Sequence, residues 1–158
     1  MNRITSFLAL SAIVVAGAFS ATAAQASANN VIVDFTVHNA DSAESMIRSG
    51  SLPSTFSGLI TPPSAIGPGG DDPSSGYAQF IAPAPAVGHS VQGSLTYVDA
   101  NLMNVGCTFT ITVSRSAPNS YGLAFSVSNN GTHCSVPAGG SNSDGLFTTS
   151  SYTLSWST

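Results

Sequence analysis

The sequence predicts an all-β protein: a single-domain antiparallel β-sandwich of about seven or eight strands, held by one disulfide and preceded by a cleaved signal peptide. Three observations carry this expectation. Apolar side chains recur at every second position in several segments, the period of a half-buried strand. Charged residues make up only 6% of the 158 residues, against about 25% in ordinary domains, and 27 serines and 14 threonines solvate the surface instead. Two cysteines, Cys107 and Cys134, fall in a chain whose start carries the marks of export.

The export segment comes first. Met1-Asn2-Arg3 gives a positive start, Phe7 to Phe19 is an apolar run, and Ala24-Gln25-Ala26 is a small-residue cleavage site. The expected boundaries are 1–26 for the signal peptide and 27–158 for the secreted domain, with Ala21-Thr22-Ala23 as the alternative site. The run is shorter than the ~20 residues of a membrane span, and no later stretch is apolar enough for one, so no transmembrane segment is expected. The expected location is secreted, periplasmic or at the cell surface.

After cleavage the chain holds Arg48 and Arg115 against seven acids, a net charge of −5, with no lysine anywhere. Two arginines cannot replace the counterions of a nucleic acid, so no nucleic-acid partner is expected. The missing lysine also excludes a lysine-bearing phosphate loop, Schiff-base chemistry and a polybasic membrane anchor.

The elements follow in order. Val31-Val33-Phe35-Val37 alternate with Ile32-Asp34-Thr36-His38 as a first strand. Ser42 to Ser49 reads as one short helical turn, with Ala43, Met46 and Ile47 on one side and Asp41 and Glu44 on the polar one. Thr61 to Gly76, broken by Pro62, Pro63 and Pro68, reads as a long exposed loop. Strands are expected at Tyr77 to Ile81 and Ser90 to Val98. The cleanest alternation, Cys107-Phe109-Ile111-Val113, is followed after Ala117-Pro118-Asn119 by Tyr121-Leu123-Phe125-Val127. Asn130-Gly131 reads as a type I′ hairpin turn into Thr132 to Val136. Gly139 to Gly145 reads as a flexible stretch before a final strand, Tyr152-Leu154-Trp156. The expected core is Val33, Phe35, Val37, Leu95, Tyr97, Phe109, Ile111, Leu123, Phe125, Val127, Leu154 and Trp156.

A disulfide between Cys107 and Cys134 would close a loop of roughly 27 residues and contribute about 3 kcal/mol through chain entropy. In a flat meander the two residues would lie two strands apart, ~9.6 Å, beyond the ~7 Å a disulfide tolerates. The bond therefore requires the third strand to leave the sheet, or one cysteine to lie in a loop. Metal binding by His133 and Cys134 is the rival reading, without CxxC or HxxxH spacing to support it. No cofactor is expected.

Four groups of residues are candidates for chemistry. Gly88-His89-Ser90-Val91-Gln92-Gly93 approaches a nucleophile elbow, with the second glycine one place late, and makes Ser90 the nucleophile of a hydrolase alternative. Asp71 and Asp72, in a loop rich in carbonyl oxygens, read first as a solvated loop and only weakly as a calcium candidate, since no spaced Asp-x-Asp-x-Asp accompanies them. Phe56 and Tyr77 flank the long loop and are the candidates for a ligand-binding edge. Asn130-Gly131-Thr132 fits a glycosylation sequon that the turn alone explains.

Two short resemblances accompany these readings. Tyr152-Thr153-Leu154-Ser155-Trp156 resembles the alternating last strand of bacterial fimbrial subunits, over about fifteen residues, although the alternation is one place out of register and the early cysteine of such subunits is missing. Pro62 to Val98, with Gly93-Ser94-Leu95-Thr96-Tyr97, resembles the acidic, membrane-binding aegerolysin β-sandwiches. That likeness implies a lipid partner and assigns no residue a role.

The expected function is a secreted, non-catalytic β-sandwich acting at or outside the cell surface through binding or self-association at sheet edges, with a lipid or carbohydrate as candidate ligand. A lipid- or membrane-binding protein is the first alternative and a small secreted hydrolase the second.

Overall fold

The computed structural model describes residues 29–56, 61–72 and 77–157, without the side chains of residues 72 and 149–151. The expected signal peptide, 1–26, lies outside the described residues. The strands are β1 (Asn30–Asn39), β2 (Met46–Ser49), β3 (Ala65–Ile66), β4 (Asp71–Asp72), β5 (Ala78–Pro83), β6 (His89–Asp99), β7 (Gly106–Ala117), β8 (Ser120–Asn130), β9 (His133–Ser135), β10 (Gly140–Asn142) and β11 (Leu146–Ser157), with one 3-10 turn at Ser54–Phe56.

They form the two packed sheets that the alternation and the cysteines predict. One sheet runs β10-β8-β7-β6-β2-β3; in the other, β4 and β5 both pair with β1, followed by β11 and β9. β6, β7 and β8 form an antiparallel meander in unbroken register from Gly106 to Arg115. The exception to antiparallel pairing is β1 with β11, which run parallel, Ile32 beside Leu146 and Asn39 beside Trp156. Between Val33 and Phe35 their register jumps, because β11 carries extra residues opposite Asp34.

The core is the space between the sheets. Val31, Val33, Phe35, Val37, Phe80, Leu154 and Trp156 meet Leu95, Tyr97, Phe109, Ile111, Val113, Tyr121 and Leu123 there. Phe125 and Val127, expected in the core, are only half-buried. The facing strand β9 is three residues long and covers them incompletely. Phe125 stacks instead at 5.0 Å on Tyr152.

Gly93 sits at an inward position of β6, and a Cβ there would lie 2.8 Å from the Phe80 ring and 3.0 Å from the Phe56 ring. This absence of a side chain lets the 3-10 turn press Phe56 into the core. There it makes edge contacts with Phe35 at 5.9 Å and Phe80 at 5.6 Å.

The Cys107–Cys134 bond forms, with Cα atoms 6.0 Å apart. Cys107 is on β7 and Cys134 on β9, so the bridge joins the two sheets and the third strand does leave the plane.

Four local expectations are corrected. Ser42 to Ser49 is not helical: the Asp41 carboxylate accepts the N–H groups of Ala43 (2.7 Å) and Glu44 (2.9 Å). That side-chain turn competes with a helix and releases the chain into β2. The described part of 61–76 is not a free loop. β3 and β4 pair with the sheets, the Arg48 guanidinium donates to the carbonyls of Pro62 and Pro63, and Tyr97 donates to Pro63 at 2.8 Å. Gly140 to Asn142 is strand β10 against β8. Asn130-Gly131 is not a type I′ hairpin, because only Gly131 has positive φ, at 71°, and the turn leads across to the other sheet.

Candidate functional site

Strand alternation fixes what the elbow-like segment can do. Ser90 belongs to the outward register of β6 with Gln92, Ser94 and Thr96, whereas His89 shares the inward register of Val91 and Leu95 just beyond the core. Consecutive side chains on a strand point to opposite faces, so the nucleophile and base suggested by the sequence diverge. His89 pairs across with Arg115 and Ser90 with Ser114, and with Gly88 and Ser116 these residues line an open concavity of about 510 Å³. The Arg115 guanidinium donates to Pro118 O (2.6 Å) and Pro85 O (3.4 Å) and lies 5.2 Å over the Tyr121 ring. No carboxylate hydrogen-bonds His89 among the described residues. The concavity offers a cation and several hydroxyls, without an assembled proton relay.

Asp71 and Asp72 lie in β4 beside His38 and Val37 of β1. The Asp71 carboxylate is 2.6 Å from His38 Nδ1 and 68% exposed. Among the described residues no three His, Cys, Asp or Glu side chains gather as metal ligands.

The aromatic pair separates. Phe56 is 0% exposed and belongs to the core, so it has no surface to give a ligand. Tyr77, just before β5, is half-buried.

Three features were not singled out from the sequence. The first is the outward face of β6, β7 and β8. Ser94 bonds Thr110 at 2.7 Å and Thr96 bonds Thr108 at 2.8 Å across the strands, with Ser126 and Ser128 continuing the rows. The Thr108-x-Thr110-x-Thr112 run, alternating with the core positions Phe109 and Ile111, is the trace of this face in the sequence. The second is the outer edge of β8. β10 covers only Tyr121 to Leu123, and among the described residues no strand pairs with Ala124 to Asn130 on that side.

The third is buried polarity. Asn39, fully buried, donates to the carbonyls of Glu44 (2.8 Å) and Gly67 (3.0 Å) and accepts from Asp41 N (3.1 Å), pinning β1 to the chain around β2 and β3. Asp34 is buried on the other face of β1 beside Gln79, whose amide donates to it at 3.1 Å. Burial raises its carboxyl pKa, and the Gln79 bond only partly opposes this.

The chain matches no family model, no curated protein and no solved structure, so neither resemblance seen in the sequence gains a family match.

Proposed function

We propose that this protein is exported and acts, without catalysis, at or outside the cell surface by binding and self-association. The open edge of β8 carries the reading. Among the described residues no strand pairs with the outer side of Ala124-Phe125-Ser126-Val127-Ser128-Asn129-Asn130, which has no lysine, acid or proline to discourage a second strand. The disulfide, formed only under oxidising conditions in most organisms, supports location outside the cytoplasm. The hydroxyl rows beside this edge favour a neutral, hydroxylated partner such as a polysaccharide, because no charge need be stripped of water on contact.

Sedimentation velocity of the oxidised chain without residues 1–26, across a hundredfold range of concentration, tests the reading. Dimers or larger species that vanish in an Ala124→Lys/Ser126→Lys variant are expected. A monomer at every concentration, combined with no retention on insoluble neutral polysaccharides, overturns it.

A further inference from the structure

The turn between β6 and β7 carries the two most exposed large apolar side chains of the described residues, and they are adjacent: Leu102 at 56% and Met103 at 62%. We propose that this turn is a membrane-docking tip that inserts Leu102 and Met103 into the interface of an electrically neutral bilayer. This rests on the reading of an exported binding protein and names the partner of one end of the sandwich.

The turn is built to leave water. Burial in lipid is costly chiefly for backbone groups without partners. Here Asp99, itself buried, caps the N–H groups of Asn101 (2.6 Å) and Leu102 (2.9 Å) with one carboxylate oxygen. Val105 N donates to Leu102 O (2.8 Å), Asp99 N to Val105 O (2.9 Å) and Ala100 N to Ser45 O (2.9 Å). Asn130 donates to the Asn104 carbonyl. The two side chains are thus presented on a turn in which the N–H groups of Asp99, Ala100, Asn101, Leu102 and Val105 are already bonded, leaving those of Met103 and Asn104 at the tip.

The surroundings select the bilayer. From Ala100 to Val105 no side chain ionises, and the two nearest acids are held at the base of the turn, Asp99 buried beneath it and Glu44 accepting a bond from Asn101. Beside the tip a depression of about 180 Å³ lies between Thr96, Thr108 and Ser128 of the hydroxyl face and Asn104 and Asn130. Amides and hydroxyls at that depth suit the headgroup zone while the tip occupies the acyl boundary. A stable protein partner generally needs ~600 Å² or more per side with aromatic or arginine anchors, which two side chains ringed by asparagines do not supply. The lysine-free, acidic chain also has no attraction to an anionic leaflet.

Co-sedimentation of the oxidised chain without residues 1–26, with phosphatidylcholine vesicles and with vesicles containing phosphatidylglycerol, tests this. Partition onto phosphatidylcholine is expected, weakened about tenfold or more by Leu102→Asp/Met103→Asp. It should be unchanged by Val87→Asp, a comparably exposed apolar residue at the opposite end of β6. Near-ultraviolet circular dichroism shows whether each variant is folded, and Met103→Trp should give blue-shifted fluorescence on vesicles. Binding that survives the double substitution, or that is stronger on the anionic vesicles, overturns the tip. No binding to either vesicle also overturns it and leaves self-association through β8, read separately by sedimentation velocity, unaffected.

Discussion

Trp156 of β11 lies directly opposite Cys134 of β9, so the buried indole and the bridge to Cys107 share one layer between the sheets. β9 contributes only three residues to its sheet and has little else to hold it. Reduction should therefore release β9 first and expose the indole. The Cys107→Ala/Cys134→Ala variant is expected to lose about 3 kcal/mol. Urea denaturation followed by Trp156 fluorescence measures this; an unchanged midpoint contradicts it.

Gly93 is fixed by its neighbours. Gly93→Ala forces a methyl group against the Phe56 and Phe80 rings and is expected to cost about 1–3 kcal/mol by overpacking. Phe56→Ala, which empties the same region, should cost about 3–5 kcal/mol. Thermal denaturation of both variants checks the pair, and a neutral Phe56→Ala would return Phe56 to the surface as a ligand candidate.

Asn39 makes its hydrogen bonds where water cannot replace them. Asn39→Leu removes the donors to Glu44 and Gly67 and leaves their carbonyls short of partners, at a cost of about 1–3 kcal/mol. Hydrogen exchange should show the loss first in the segments 44–48 and 65–67.

Asp34 supplies a pH dependence of known sign. Its folded carboxyl pKa is raised by burial, so the folded state holds the proton more tightly than the unfolded chain. Its unfavourable contribution is absent below the unfolded value of 3.8, develops as pH rises through the folded value, and is complete above it. Asp34→Asn should therefore be more stable than the parent at pH 7, with the gap closing toward pH 3. Denaturant midpoints at the two pH values test this.

The long strands were legible because one face of each is buried. Val33-Phe35-Val37 and Phe109-Ile111 report directly which side meets the other sheet. Cys107 and Cys134 revealed the crossing between sheets because a disulfide has a fixed reach. The short elements were not legible. Met46 to Ser49 and Ala65-Ile66 owe their pairing to distant partners, Arg48 reaching Pro62 and Tyr97 reaching Pro63, and local pattern carries no trace of such contacts. Phe56 looked like a loop aromatic for the same reason, since the space it fills is created by Gly93 on another strand. The site candidates fared according to the same distinction. His89 and Ser90 adjoin in sequence, and the pleat separates them.

The parallel pairing of β1 with β11 joins residues more than a hundred positions apart at the heart of one sheet. The ribosome delivers β1 long before β11 exists. β1 can pair with β5 once residue 83 has been made, but its other edge stays open until the chain is almost complete, so this sheet closes last.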